Sequence, residues 1–191
     1  MKRKILLPLL LAAAIVGVAL AASNIGRDPG GDNKHILVAF FSATGNTKSA
    51  AETAATALYA DLVRLTPAEP YTEADLSHDP DARVPKEQSD PDSRPGIKNT
   101  IENWEQYDTV VIGYPIWSGI APRIINTFAD AYDFSGKKVA LFCTSGSSGV
   151  EGSEEELRNA FSGAELLPGA RLEPDASVAD IRAWAQSAGI L

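Results

Sequence analysis

Six residues, Ser42-Ala43-Thr44-Gly45-Asn46-Thr47, lie directly between an uninterrupted apolar run, Ile36 to Phe41, and an alanine-rich stretch, Lys48 to Ala60. Their chemistry is that of an anion cradle. A buried strand that ends in a tight turn at a helix start aims several unpaired backbone N–H groups, and the positive end of the helix dipole, at one point in space. Gly45 lets the backbone approach an anion closely, and Ser42, Thr44 and Thr47 add hydroxyl donors. No lysine or arginine falls within the six residues, so the pattern suits one terminal phosphate held by neutral groups. The Gly-Lys-Ser/Thr ending of a triphosphate loop is missing, and Gly146-Ser147-Ser148-Gly149-Val150-Glu151-Gly152 has the wrong spacing for a dinucleotide fingerprint. ATP, GTP and bound NAD are therefore not indicated. The same residue types also serve an ordinary N-capped βα turn, and two further segments decide between the readings.

The first is the apolar run from Thr109, which opens into Tyr114-Pro115-Ile116-Trp117-Ser118-Gly119; the second is the run from Lys138, which ends in Thr144-Ser145-Gly146-Ser147-Ser148-Gly149. Continuous apolar strands separated by helix-length segments imply an α/β domain with a parallel sheet covered on both faces. In such sheets ligands sit outside the carboxyl ends of the strands, where all three loops would meet.

Taken together, the phosphate loop, the Gly-Tyr-Pro-Ile-Trp loop and the Thr-Ser-Gly-Ser-Ser-Gly loop resemble the flavodoxin family, from about Lys34 to the carboxyl terminus. Tyr132-Asp133-Phe134-Ser135-Gly136-Lys137, leading into the third run, resembles one branch of it. The resemblance implies a flavodoxin-like three-layer sandwich with a five-stranded parallel sheet of order 2-1-3-4-5, and FMN as the ligand. It implies that Ser42, Ala43, Thr44, Gly45, Asn46 and Thr47 hold the phosphate. Tyr114, Pro115, Ile116, Trp117, Ser118 and Gly119 would line one edge and face of the isoalloxazine ring, and Thr144, Ser145, Gly146 and Gly149 would offer donors to its pyrimidine end. Ser118 departs from the second tryptophan that the branch more often carries there. An aromatic face and an acidic surface would both keep the final reduction potential low, and Gly119 would let the backbone adjust as the ring gains a proton.

The elements that must position these loops follow from periodicity and punctuation. Ala50, Ala51, Ala54, Ala55, Ala57 and Ala60 give the first helix high intrinsic propensity. Asp61 to Leu65 alternates imperfectly, as an edge strand does, and suits position two. Residues 67 to 96 hold six prolines and many acids, which predicts a long surface excursion with at most short helical turns; it would either rim the site or be a silent insert. Helices are expected over Gly96 to Trp104, Ala121 to Ala131, Glu151 to Phe161 and Ala176 to Ser187, and a fifth strand around Gly169 to Glu173. Trp104 and Trp184 are expected in the core, whereas Trp117, past a strand end beside Pro115, is expected at the site. Cys143 is the only cysteine, so it forms no internal disulfide and is expected to pack in its strand. With only His35 and His78 beside it, no zinc spacing exists.

At the amino terminus, Lys2-Arg3-Lys4 precedes an 18-residue run, Ile5 to Ala22, broken only by Pro8 and Gly17. Residues 1–22 read as an export signal with a small-x-small pattern at Ala19-Leu20-Ala21, or as a membrane anchor; 23–33 read as a linker and 34–191 as the domain. The run is at the lower end of spanning length, and its alanines and Gly17 favour cleavage. Losing Lys2, Arg3 and Lys4 takes the 17 basic residues to 14 against 25 acidic ones, a formal charge of −11. Such a surface avoids nucleic acid and steers basic partners. The expected function is FMN-based electron transfer outside the cytoplasmic membrane, with a redox partner protein or a small electron acceptor. The alternatives are an FMN-dependent NAD(P)H:quinone-type oxidoreductase and a flavodoxin-shaped binding domain without cofactor.

Overall fold

The computed structural model describes residues 35–191; the export segment, the linker and Lys34 lie outside the described residues. Five parallel strands form one sheet: β1 (Ile36–Phe40), β2 (Asp61–Arg64), β3 (Thr109–Pro115), β4 (Lys138–Thr144) and β5 (Glu165–Arg171), in the order β2-β1-β3-β4-β5. The three central strands are apolar on both faces because both faces are covered. Ile36, Val38 and Phe40 of β1, Val111 of β3, and Ala140 and Phe142 of β4 face α1 (Asn46–Leu58) and α5 (Val178–Ala188). Leu37, Ala39, Val110, Ile112, Tyr114, Val139, Leu141 and Cys143 face α3 (Ile124–Ala131) and α4 (Glu151–Leu157). The alternation within each strand is the strand period of two, applied to two buried faces.

Ala50, Ala51, Ala54 and Ala57 are the buried stripe of α1, so the alanines serve close packing as well as propensity. Helix α5 begins with a capping box. The Asp180 N–H donates to Ser177 Oγ at 3.2 Å, and the Ser177 N–H and hydroxyl both donate to Asp180 Oδ2, at 3.1 and 2.7 Å. These bonds stabilise the carboxylate and hold the Asp180 carboxyl below the usual range.

The excursion after β2 contains one helix, α2 (Arg83–Ser89). No helix forms over Gly96 to Trp104. Pro67 and Ile97 form an antiparallel bridge, with Ala68 N donating to Gly96 O at 2.7 Å and Lys98 N donating to Thr66 O at 2.7 Å. The Asn99 side chain accepts from Thr66 N at 2.9 Å and donates to Arg64 O at 3.0 Å. Extended pairing satisfies this segment's backbone, and only Trp104–Gln106 makes a 3-10 turn. The fifth strand starts and ends earlier than Gly169 to Glu173 would suggest. Pro168 has no N–H to give, and the pairing with β4 slips between Ala140 and Phe142; Gly169 N donates instead to Glu154 Oε1 at 2.7 Å. The other helices are shorter than or shifted from expectation by a few residues, α4 most, since turns replace helix after Leu157. Trp104 is buried, while Trp184 is half-buried against the α1/α5 core.

Candidate functional site at the carboxyl end of the sheet

Phe41 N donates to Gly113 O at 2.9 Å, carrying the β1 ladder one residue past the strand into the loop. Gly45 then turns into α1 with φ 103°, a left-handed conformation that any L side chain would strain. Its N–H donates to Ser42 Oγ at 3.1 Å, so the Ser42 hydroxyl folds the loop and keeps its own proton free to donate. Among the described residues no side chain caps α1. The first bond of the helix is Ser49 N to Gly45 O at 3.1 Å, and the N–H groups of Asn46, Thr47 and Lys48 have no acceptor among the described residues. The contrast with the capping box of α5 is chemical: one helix start is closed by its own residues and the other is left open to an acceptor from outside.

Of the three loop hydroxyls, Thr44 is exposed, whereas Thr47 is buried with its Oγ1 at 2.8 Å from Thr144 Oγ1. Thr47 therefore does not act alone. One hydroxyl of the pair donates to the other, which leaves one proton for an anion, and the bond ties the phosphate loop to the end of β4. Thr144 is buried in that pair rather than open to a ring. Ser145, whose hydroxyl donates to Ser148 O, and the glycines Gly146 and Gly149 continue the loop at the surface.

The aromatic loop divides in two. The Tyr114 side chain points into the core, fully buried with a phenol pushed well above its ordinary pKa by burial; its hydroxyl faces Ser153, yet neither oxygen makes a well-formed hydrogen bond among the described residues. It supports the loop from beneath and lines no surface, because β3 is still a central strand at that position. Pro115, Ile116 and Trp117 are half-buried, and Ser118 and Gly119 exposed. Trp117 N donates to Ile120 O at 2.9 Å and Ile120 N to Trp117 O at 3.2 Å, closing a two-residue turn with φ 50° at Ser118 and 87° at Gly119. Those angles belong to a type I′ turn, which holds a non-glycine residue at position Ser118 at some cost. A Cβ on Gly152 of α4 would lie 2.8 Å from Gly119 O, so the helix reaches the turn only because that position has no side chain.

The Trp117 ring meets Phe41 edge-on, with centroids 5.3 Å apart at 87°, and Tyr71 at 5.1 Å and 71°. Tyr71 comes from the excursion. Its hydroxyl donates to Glu87 Oε2 at 2.6 Å and the Arg83 guanidinium lies 4.0 Å from its ring centroid; burial, with the Glu87 carboxylate behind it, pushes its phenol well above the ordinary range. The excursion is therefore part of the site's wall. Arg64, at the end of β2, donates to Ser42 O at 3.0 Å, and Arg171, at the end of β5, donates to Ser145 O at 3.1 Å. Both edge strands thus send a guanidinium to a loop carbonyl. None of Phe41, Arg64, Arg171 or Gly152 stands out in the sequence. A lone aromatic among acids and prolines is the one usable signal, and it belongs to Tyr71.

The flavodoxin family model matches residues 35–188. The chain belongs to the flavodoxin family. Among solved structures, a candidate flavoprotein from Bacteroides eggerthii is 42% identical, covering 82% of this chain and 99% of its own, with a TM-score of 0.79. Another from Bacteroides uniformis is 42% identical over 80% of this chain and 98% of its own, with a TM-score of 0.76. A flavoprotein from Lactobacillus acidophilus, solved in complex with FMN, shares the fold at 24% identity and a TM-score of 0.63, over 72% of this chain and 93% of its own. No curated protein matches the sequence. The five-stranded order and the two-sided covering of this flavodoxin domain agree with the sequence-based expectation, and the open helix start and the aromatic turn follow the carboxyl ends of the adjacent strands β1 and β3, the end at which such sheets bind their ligands.

Proposed function

We propose that this flavodoxin domain binds FMN noncovalently and carries electrons between a redox partner protein and a second protein or small acceptor, outside the cytoplasmic membrane. The observation that carries the reading is the start of α1, where among the described residues nothing caps the helix or accepts from the Asn46, Thr47 and Lys48 N–H groups, and Gly45 clears their approach. The donor set fits a phosphate monoester: main-chain N–H groups, the Ser42 and Thr44 hydroxyls, and the one proton that the Thr47–Thr144 pair can spare. In this reading Trp117 and the Ser145 to Gly149 loop, which follow the carboxyl ends of the adjacent strands β3 and β4, would line the ring. When bound, FMN supplies the redox chemistry; the residues anchor it, exclude water from one face and set the polarity around it.

The L. acidophilus neighbour's FMN complex and the 42% identity to two candidate flavoproteins support the cofactor. Export rests on Lys2-Arg3-Lys4 and the apolar run after it, and the acid-rich composition suits a basic partner. Calorimetric titration of apoprotein is expected to give tighter binding of FMN than of riboflavin, and equal affinity would overturn the cradle. Steady NAD(P)H turnover with a quinone would move the protein to the oxidoreductases. Mass spectrometry of the native protein is expected to find a chain trimmed near Ala21; an intact Met1 chain in the soluble cytoplasmic fraction would overturn the export reading.

A further inference from the structure

Gln88, near the end of α2, is buried to 6% exposure in an excursion that is otherwise polar and rich in proline. Its side-chain amide is fully used. Nε2 donates to Trp117 O at 3.0 Å and to Ala121 O at 3.1 Å, and Oε1 accepts from Arg123 N at 3.1 Å. The reverse orientation would set oxygen against two carbonyls and nitrogen against an N–H, so the surroundings dictate which way the amide points. The main chain at Gln88 is held as well: its carbonyl accepts from Arg123 Nη2 at 3.0 Å, while Arg123 Nη1 meets Glu156 of α4 at 2.6 Å.

The two acceptors flank the Trp117–Ile120 turn, one at its entry and one just past its exit. A single side chain therefore sets the spacing of the turn's ends. The turn needs that support, because Ser118 sits in the left-handed region, which is unfavourable for a residue with a Cβ. We propose that Gln88 is a positioning residue that clamps both ends of the aromatic turn and so sets how the Trp117 indole is presented at the flavin site. The excursion thereby becomes a working part of the site. The consequence for flavin rests on the FMN reading; the clamp itself does not, and the two are separable.

Gln88→Met keeps length and bulk but removes both donors and the acceptor. Gln88→Glu keeps the acceptor for Arg123 N and sets a carboxylate oxygen against the two carbonyls. Val84→Ala, a buried position on the same helix, trims apolar packing of α2 while keeping every hydrogen-bonding group of Gln88 and its partners. In apoprotein, hydrogen exchange at the Trp117 and Ile120 amides is expected to be ~10-fold faster in both Gln88 variants and unchanged in Val84→Ala. In holoprotein, the ratio of affinities for oxidised and fully reduced FMN is expected to change at least ~3-fold in the Gln88 variants only. Unchanged exchange in both variants would overturn the clamp, and faster exchange with an unchanged ratio would overturn the positioning role. Failure of the unmutated protein to take up FMN would remove the FMN reading and leave exchange to decide the clamp. Should neither variant fold, the unmutated protein decides: slow exchange of the two Gln88 side-chain amide protons supports the clamp, and fast exchange overturns it.

Discussion

Between Ser42 and Thr47 the course of the chain is set mostly by neighbours in sequence: a strand end, a serine hydroxyl three residues before the N–H it accepts, and a glycine that alone takes φ 103° comfortably. Between Trp117 and Ala121 it is set by Gln88, 29 and 33 residues away, by Tyr71 of the same excursion, and by a helix that approaches through Gly152. In the FMN reading, the Ser42 to Thr47 loop would hold the phosphate with main-chain groups whose directions the helix start dictates. The aromatic turn presents a side chain whose direction depends on the excursion and on α4. An anchor of the first kind tolerates change elsewhere in the molecule, whereas a surface of the second kind can be adjusted from a distance. In this domain affinity should therefore lie mainly in the loop and electronic tuning mainly in the turn.

The strongest attack on that division is Gly45→Asp, which adds backbone strain and a negative charge where a dianion should sit. Charge-assisted bonds contribute roughly 1.5–3 kcal/mol each, so losing two reduces FMN affinity by ~100-fold or more; calorimetry checks this, and normal binding would refute the placement of the phosphate. Trp117→Ala comes next. Edge or stacking geometry contributes only about 0.5–1.5 kcal/mol beyond area, so affinity should fall ~10-fold while the flavin potentials, read by redox titration, move more than in any loop variant. A potential unchanged by this substitution would erase the distinction between the two regions.

A smaller effect tests the bond that joins the phosphate loop to β4. Thr144→Val leaves the buried Thr47 hydroxyl without its partner, at about 1–3 kcal/mol of stability by denaturant unfolding, and adding Thr47→Val should recover part of the loss. Additive losses would mean that the pair is not coupled. The smallest effect concerns the strand beneath both regions. Burial pushes the Cys143 thiol up to about 11. Folding therefore favours the neutral thiol, and that contribution is complete below the unfolded-state pKa, near 8.5, and lost as pH rises through about 11. At pH 8 the native protein should react with a thiol reagent only as fast as it unfolds; rapid labelling of folded protein would show that the end of β4 opens.

Much of the fold was legible because both faces of the sheet are buried, which leaves β1, β3 and β4 as unbroken apolar runs with helix-length spacing. The segment Gly96 to Trp104 was not, since its composition allows a helix and its actual state depends on backbone groups of Thr66 and Ala68 that no local pattern announces. The course of the Ser42 to Thr47 loop was legible because neighbours in sequence set it, although the sequence assigned Thr47 a free hydroxyl that Thr144, 97 residues away, half consumes. Tyr114 was misread as a ring contact because a strand's last residues look alike whether they point outward or inward; the pleat and the packing of α4 turn its side chain into the core.

By itself, then, the sequence determined the strand set, the open helix start at Gly45 and the three loops that gather at one end of the sheet, all of which follow from local propensity and apolar runs. Only the tertiary structure decided which hydroxyls stay free, that Tyr71 and Phe41 flank Trp117, and that Gln88 ties the excursion to the turn. Those depend on contacts between segments far apart in the chain, and a side chain's partners across a sheet are set by register and packing, which residue order alone does not encode locally.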